Sequence, residues 1–119
     1  MYEASAIIGR IKNSKCRIIT EAYGQACSGA ALILASGDKR RISKYAWFMY
    51  HKMSYGTSGT HDEIKDFVNQ AEREQKLLIK QLSEFSNRSE EFWESKLLKK
   101  DYYLTPQQCL ELELVDEVI

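Results

Sequence analysis

The sequence has few of the residues that break regular structure or cross-link a chain. Its 119 residues include one proline, six glycines and three cysteines. Because all the glycines lie before residue 60, the second half of the chain is predicted to be mostly helical. The cysteines are odd in number, widely spaced and without a C-x-x-C pair, which favours small buried thiols in a reducing compartment over disulfides or zinc.

Net charge and long hydrophobic runs are also lacking. Lysine plus arginine number 17 and aspartate plus glutamate number 17, so the basic excess that binding to a phosphate backbone needs is absent. The longest strongly apolar run, residues 30–35, is far shorter than the roughly 20 residues of a membrane span, and no signal peptide opens the chain. We therefore expect a single domain over residues 1–119, soluble and cytoplasmic, with neither nucleic acid nor membrane as a partner.

Helix and strand patterns alternate along the chain. Strands are predicted where β-branched and aromatic residues cluster, and helices where apolar residues recur every three or four positions. The predicted elements, in chain order, are a helix at Tyr2–Lys12, a strand at 16–23, a helix at 30–35 capped by Gly37, one or two strands within 41–51, a helix at 89–99, a helix starting at Thr105-Pro106 and a strand at 115–119. This alternation predicts an α/β layer fold.

The longest predicted element is a helix at residues 60–86. Apolar residues fall on one stripe at steps of three and four, with charged residues elsewhere. The stripe consists of Ile64, Phe67, Val68, Ala71, Leu78, Leu82 and Phe85. Leu77 and Ile79 lie beside it and give a second apolar face. Such a helix would be roughly 35 to 40 Å long, more than a compact domain of this size covers, so we expect it to project and to pack against another subunit.

One serine stands where the strand pattern gives way to the apolar helix. Ser28 lies in GQACSGAALILASG, residues 24–37, and two interpretations are open. It is either a small residue that caps the helix or relieves crowding, or a nucleophile. The G-x-S-x-G motif of lipases and esterases is absent. A serine at a helix N-terminus would still direct its own amide and that of Gly29 outward, ready to bind an oxyanion.

A nucleophilic serine needs a base, and the base works best with a carboxylate that orients it. His61 begins the long helix beside acidic residues and is expected on the surface. His51 ends an aromatic strand and precedes the glycine-rich residues 53–59, so it is either a buried, hydrogen-bonded histidine or a base facing a cleft. Asp101, predicted at a junction between two helices, is either a surface carboxylate paired with a lysine or the orienting acid.

Three stretches of the sequence resemble the proteolytic subunit of the Clp protease, the ClpP-type serine peptidases. These stretches are YGQACSGAALILASGDKRRIS, WFMYHKMSYGTSG and KKDYYLTPQQCLELELVDEVI, and the resemblance extends over essentially the whole chain. It implies that Ser28, His51 and Asp101 form the catalytic triad of a serine endopeptidase. It also implies that the Gly29 amide binds the oxyanion, that no cofactor or metal is needed, and that the layered α/β fold is the one this family shares with crotonases.

The resemblance carries further expectations about substrate and assembly. An extended segment after His51 would pair backbone to backbone with a polypeptide substrate. This segment includes Met53, Ser54, Tyr55 and Gly56. The long helix resembles the family's handle, through which two heptameric rings of identical subunits stack into a closed chamber. An AAA+ unfoldase ATPase is a further partner that the resemblance suggests, and the activity would then be ATP-dependent proteolysis.

The sequence departs from the family pattern at several points. Met53 stands where proline is usual, Lys100 replaces a frequent arginine that helps couple the rings, and Gly29 stands where methionine is common. By the resemblance, the chain begins after the family's N-terminal portion, which holds a second oxyanion donor, as in a truncated, split or partly sequenced gene. Two other functions therefore stay open: an inactive ClpP-like scaffold, and a crotonase-type acyl-CoA enzyme, against which the three triad candidates argue.

Overall fold

A computed structural model describes residues 2–51, 54–97 and 101–119 of the chain. Helices and strands alternate within these residues, which confirms the predicted α/β class. The elements in chain order are α1 (Tyr2–Lys12), β1 (Ile19–Ala22), β2 (Gln25–Cys27), α2 (Gly29–Ala35), β3 (Lys39–Ile42), β4 (Trp47–Tyr50), α3 (His61–Ser86), α4 (Glu90–Leu97), β5 (Tyr102–Leu104), α5 (Pro106–Glu111) and β6 (Glu117–Val118). No helix in this described part of the chain has both the length and the apolar character to cross a membrane.

The strands of the described residues form two sheets of three strands each. In the first sheet, of order β1-β3-β6, both pairings are parallel. In the second, of order β2-β4-β5, β2 runs parallel to β4 and β5 runs antiparallel to it. Parallel neighbours need a crossover connection, and α2 lies in the crossover of both the β1–β3 and the β2–β4 pair. One short helix therefore ties the two sheets together.

Helix α2 is the centre of the hydrophobic core. It contacts strands of both sheets, and its sequence GAALILA contains no charged residue. Most of its side chains are buried: Ala31, Leu32, Leu34 and Ala35. The same core cluster contains the three largest fully buried side chains, Trp93 of α4 and Phe48 and Tyr50 of β4. Because burial of apolar surface is the main favourable term in folding, the contacts of α2 with β2 and β4 hold the second sheet against this core.

Two helices begin with the same local motif. Thr60 accepts a hydrogen bond from the amide of Glu63, whose carboxylate accepts one from the Thr60 amide. Thr105 and Gln108 form the same capping box at the start of α5, with Pro106 at its first position. Such boxes satisfy amides that have no partner inside the helix, so both helices begin where the sequence predicts.

The long helix α3 has two halves with different surroundings. Its 26 residues span about 39 Å, and the longest dimension of the described chain is 50 Å. Residues 78–86, the inner half, bury the apolar side chains of Leu78, Leu82 and Phe85. Residues 61–77, the outer half, leave those of Ile64, Val68 and Leu77 exposed. The predicted long amphipathic helix is confirmed, whereas a subunit that covers its outer half stays a prediction.

Three expectations about local structure are wrong or incomplete. The predicted strand at 16–23 is shorter in the structure, where β1 covers Ile19–Ala22. The sequence did not predict β2, which follows at Gln25–Cys27 and belongs to the other sheet. Gly37 does not cap α2, because the C-cap is Ser36. Gly37 is instead buried, and a Cβ there would overlap the side chain of Thr20, so glycine allows close packing of the loop on β1. The end of the predicted helix at 89–99 lies outside the described residues.

Candidate active site

Three strand ends meet at one edge of the second sheet. The parallel register of β2 and β4 pairs Cys27 with Met49, and the antiparallel register of β4 and β5 pairs Tyr50 with Tyr102. The residues next to these strand ends are Ser28 after β2, His51 after β4 and Asp101 before β5. All three candidates from the sequence therefore lie at this edge, which we call the shared edge.

Ser28 occupies a strained turn between β2 and α2. Its φ of 56° and ψ of −120° lie in a region that residues other than glycine rarely adopt, at a cost on the order of 1–3 kcal/mol. The Ser28 amide donates to the Met49 carbonyl at 2.9 Å, and the Ser28 carbonyl accepts from the amide of Ala31 at 3.0 Å. These bonds hold the strain in place. Strand gives way to helix at Ser28 itself, as it does at the nucleophile of an α/β-hydrolase elbow.

The Ser28 side chain does not cap the helix. Serine is favoured at an N-cap because its hydroxyl accepts from a backbone amide of the first turn, yet the Ser28 hydroxyl makes no capping hydrogen bond. The capping interpretation is therefore wrong. Ser28 thus adopts a costly backbone conformation without the stabilising hydrogen bond of an N-cap. Backbone strain of this kind is concentrated at functional sites.

The two backbone amides at this turn differ in what they can bind. The expectation that the Ser28 amide points outward is wrong, because it continues the β2–β4 ladder through its bond to Met49. Gly29 opens α2, where amides have no acceptor within the helix. A Cβ on Gly29 would lie 2.9 Å from the Cβ of Ala4, so glycine lets α1 pack closely on the turn. Of the two amides that the sequence suggested, only that of Gly29 stays a candidate oxyanion donor, and this role stays a prediction.

His51 and Asp101 reach the shared edge on adjacent strands. His51 is half-buried and Asp101 is exposed, while His61 is exposed at the start of α3, as expected. The topology brings the three side chains to one edge, and their action as a triad stays a prediction.

Sequence reasoning missed the strand that positions Asp101. It placed this residue between two helices, whereas β5 follows it directly. Tyr102, Tyr103 and Leu104 have the aromatic and apolar character of a strand, but three residues are too few to show alternation. The missed strand matters because its antiparallel pairing with β4 is what sets Asp101 beside His51.

The outward face of the same sheet carries an apolar groove that the sequence analysis did not anticipate. The groove has a volume of about 360 Å³ and is lined by Gln25, Cys27, Trp47, Met49 and Tyr103. Its origin is strand alternation: Phe48 and Tyr50 face the core, so their neighbours on β4 face outward. All four residues of WFMY are apolar or aromatic, and such a run is the signal that could have indicated a second apolar face.

The segment after His51 lies against the outer half of α3. Met53 is outside the described residues, and Ser54, Tyr55 and Gly56 are exposed and belong to no helix or strand. The Tyr55 ring contacts the edge of Phe67, with centroids 5.7 Å apart, and its hydroxyl donates to Glu74 Oε2 at 3.1 Å. Desolvation and this hydrogen bond raise the pKa of Tyr55 to about 12. The segment is therefore accessible, with a contact to α3 at Tyr55.

The cysteines differ in their surroundings. Cys109 is buried, and burial raises the pKa of its thiol to about 12, which suppresses the reactive thiolate. Cys27 is half-buried, whereas Cys16 is exposed, so the expectation of buried thiols is wrong for Cys16. Within the described ranges, no cluster of three or more His, Cys, Asp or Glu residues could hold a metal ion.

A comparison with protein families matches the family described as Clp protease over residues 1–119. The chain belongs to the Clp protease family. It is also similar to the "ATP-dependent Clp protease proteolytic subunit 3" of Synechococcus sp. (strain CC9605), with 32% identity over 117 residues. The match covers 96% of this chain and 58% of that relative. The family suggested by the three sequence stretches is thus confirmed, and the chain spans a little over half the length of this Clp protease relative.

Proposed function

We propose that the chain is the proteolytic subunit of a Clp-type protease, a serine endopeptidase that cleaves unfolded polypeptides or peptides. The observation that carries this proposal is the shared edge, where β2, β4 and β5 end beside Ser28, His51 and Asp101. The strained backbone of Ser28 adds support, because sparsely populated conformations persist mainly where function requires them.

The proposed chemistry is acyl transfer. His51 removes the proton from the Ser28 hydroxyl, which attacks the scissile carbonyl, while Asp101 holds the imidazole in the required tautomer and orientation. The Gly29 amide stabilises the oxyanion of the tetrahedral intermediate. His51 then protonates the leaving amine. Water attacks the acyl-enzyme, and His51 removes a proton from that water and returns it to the Ser28 oxygen as the acyl bond breaks. No cofactor takes part.

The proposed substrate site is the extended segment after His51. Met53, Ser54, Tyr55 and Gly56 would pair with the backbone of a bound peptide, which holds substrates with little regard to sequence. The exposure of Ser54 and Gly56 supports this role, since a strand can add only to backbone that is not already paired.

The proposal includes assembly into a homo-oligomer, with two stacked heptameric rings as the form suggested by resemblance and an AAA+ unfoldase ATPase as a partner. Its support is the outer half of α3, where Ile64, Val68 and Leu77 are exposed. A row of apolar side chains on a projecting helix is more stable when another surface covers it. The name of the Synechococcus relative also supports a subunit of an ATP-dependent protease.

A fluorophosphonate probe tests the catalytic proposal, because it reacts only with an activated serine. We expect the assembled protein to be labelled at Ser28, located by peptide mass spectrometry. Ser28→Ala and His51→Ala should lower labelling at least about a thousandfold, and Ser95→Ala, at an exposed serine of α4, should leave it unchanged. Unlabelled Ser28 in the assembled protein would refute the proposal.

A second candidate, an inactive scaffold subunit, is supported by one observation. The exposed apolar side chains of the outer half of α3, Ile64, Val68 and Leu77, favour assembly whether or not the site is active. Mass measurement under native conditions, combined with the probe, separates the two functions. Rings that are labelled support the peptidase, and rings that stay unlabelled support the scaffold.

A further inference from the structure

One carboxylate on the outer half of α3 joins three parts of the chain. Glu74 is half-buried, and each of its two oxygens accepts a hydrogen bond from a tyrosine. Tyr2 of α1 donates to Oε1 at 3.1 Å, and Tyr55 donates to Oε2 at 3.1 Å. Gln70, one turn earlier on α3, donates to Oε1 at 3.3 Å. These bonds lower the pKa of Glu74, so the acceptor stays ionised at neutral pH.

The bond to Tyr55 is half of a two-point attachment. Phe67 and Glu74 are seven residues apart, which places them on one face of the helix, two turns apart. The Tyr55 ring meets Phe67 edge to face, while its hydroxyl reaches Glu74. The ring contact alone would leave the segment free to pivot about Phe67. The hydrogen bond to the carboxylate is a second point of contact, which opposes such a rotation.

The bond to Tyr2 reaches the other side of the site. Tyr2 begins α1, and two residues later Ala4 lies against Gly29, whose added Cβ would be 2.9 Å away. Glu74 is thus linked through Tyr55 to the segment after His51, and through α1 to the turn that carries Ser28 and Gly29. Most other side chains of the outer half are exposed.

We infer that Glu74 is a positioning residue that fixes the substrate-binding segment at residues 54–59, and the start of α1, on the outer half of α3. The inference rests on the proposed function for the role of that segment. Hydrogen bonds between exposed groups contribute little to global stability, so the contribution of Glu74 is local: it limits the conformations of a segment that must be extended to bind a peptide.

Hydrogen exchange tests the attachment without any reference to catalysis. Exchange is measured by mass spectrometry on the assembled protein, over milliseconds to minutes, in four variants. Tyr55→Phe keeps the ring on Phe67 and removes only the hydroxyl, so amides of residues 54–59 should exchange roughly five- to tenfold faster. Tyr2→Phe should accelerate exchange only at the start of α1, and Glu74→Ala should accelerate both. Tyr45→Phe, at an exposed tyrosine between β3 and β4, should change neither.

Peptide hydrolysis then tests the consequence for substrate binding. We expect Tyr55→Phe and Glu74→Ala to raise KM for a short peptide several-fold with less than a twofold change in kcat, and Glu74→Gln, which keeps one acceptor oxygen, to give an intermediate KM. Exchange at 54–59 that is equal in the unmodified protein, Tyr55→Phe and Glu74→Ala would overturn the inference, as would an unchanged KM in a labelled, active protein. A missing fluorophosphonate label would instead refute the proposed function, and the exchange data would still decide whether Glu74 holds the segment.

Discussion

Thr60 and Thr105 begin their helices with the same capping box, yet the two helices lie in different surroundings. We call the two sheets, α1, α2, α4, α5 and the inner half of α3 the body of the molecule. α5 starts within this body and buries its residue Cys109. α3 starts at the far end of its outer half, where almost every residue is exposed. The same capping motif therefore begins a packed helix, α5, and a projecting helix, α3.

The comparison shows what local and tertiary interactions each determine. A capping box and an apolar stripe suffice to start and continue a helix, but burial decides how strongly that helix is coupled to global unfolding. The candidate site lies at the junction of the two regions. Ser28 and its turn belong to the body, whereas Tyr55 contacts the outer half of α3.

The largest contrast is expected between two adjacent leucines of α3. Leu78 is 1% exposed and Leu77 is 51% exposed, so the boundary between the inner and outer halves runs between them. Leu78→Ala should lower the free energy of unfolding by about 2–5 kcal/mol, because it removes buried surface and leaves a cavity. Leu77→Ala should change it by less than about 0.5 kcal/mol. Equilibrium urea unfolding measures both, and equal losses would show that the outer half is part of the body's core.

A smaller, pH-dependent effect is expected at the ion pair that closes the first sheet. Arg40 of β3 donates to both carboxylate oxygens of Asp116, at 3.1 and 2.7 Å, and also to the carbonyl of Phe85 at the end of α3. The hydrogen bonds from Arg40 lower the pKa of Asp116. The ionised Asp116 therefore contributes its full stabilisation above the ordinary aspartate pKa near 4. This stabilisation is lost as the pH falls through the lowered pKa of the folded state.

Asp116→Asn tests this contribution by unfolding at several pH values. Since the Asp116 side chain is 34% exposed, solvent weakens the pair, and we expect a loss of about 1 kcal/mol at pH 7. The difference from the unmodified chain should shrink as the pH drops below about 4. Asp66→Asn, at an exposed carboxylate of the outer half, should have little effect at either pH. A loss at Asp116 that is independent of pH would point to packing rather than to charge.

The parts of the fold that depend on local signals could be predicted from the sequence. The bounds of α1 agree with the apolar spacing of Tyr2–Lys12, and the starts of α3 and α5 agree with their capping residues. His51 follows the aromatic strand β4 as predicted, because the change from aromatic residues to a glycine-rich stretch is itself local. Ser28 directly precedes the apolar helix α2 as predicted.

The parts that depend on pairing at a distance could not be predicted. β2 and β5 have three residues each, too few to show a period of two, and their sheet exists only because β4 lies between them. The position of Asp101 beside His51 follows from that register. The hydrogen bonds of Glu74 could not be predicted either, because Tyr2 and Glu74 are 72 residues apart in sequence.

The smallest effect is expected at the two capping threonines, Thr60 and Thr105. Removing a cap costs a helix about 1 kcal/mol. In Thr105→Ala this cost should appear in global unfolding, because α5 packs on β4 and β5 and cannot open alone. In Thr60→Ala the first turns of α3 can fray while the body stays folded, so urea unfolding should change by less than about 0.3 kcal/mol, and faster amide exchange near residue 63 should report the lost cap. If the assembled protein instead loses as much stability from Thr60→Ala as from Thr105→Ala, the start of α3 is buried by a neighbouring subunit, and the exposed stripe of the outer half is an interface.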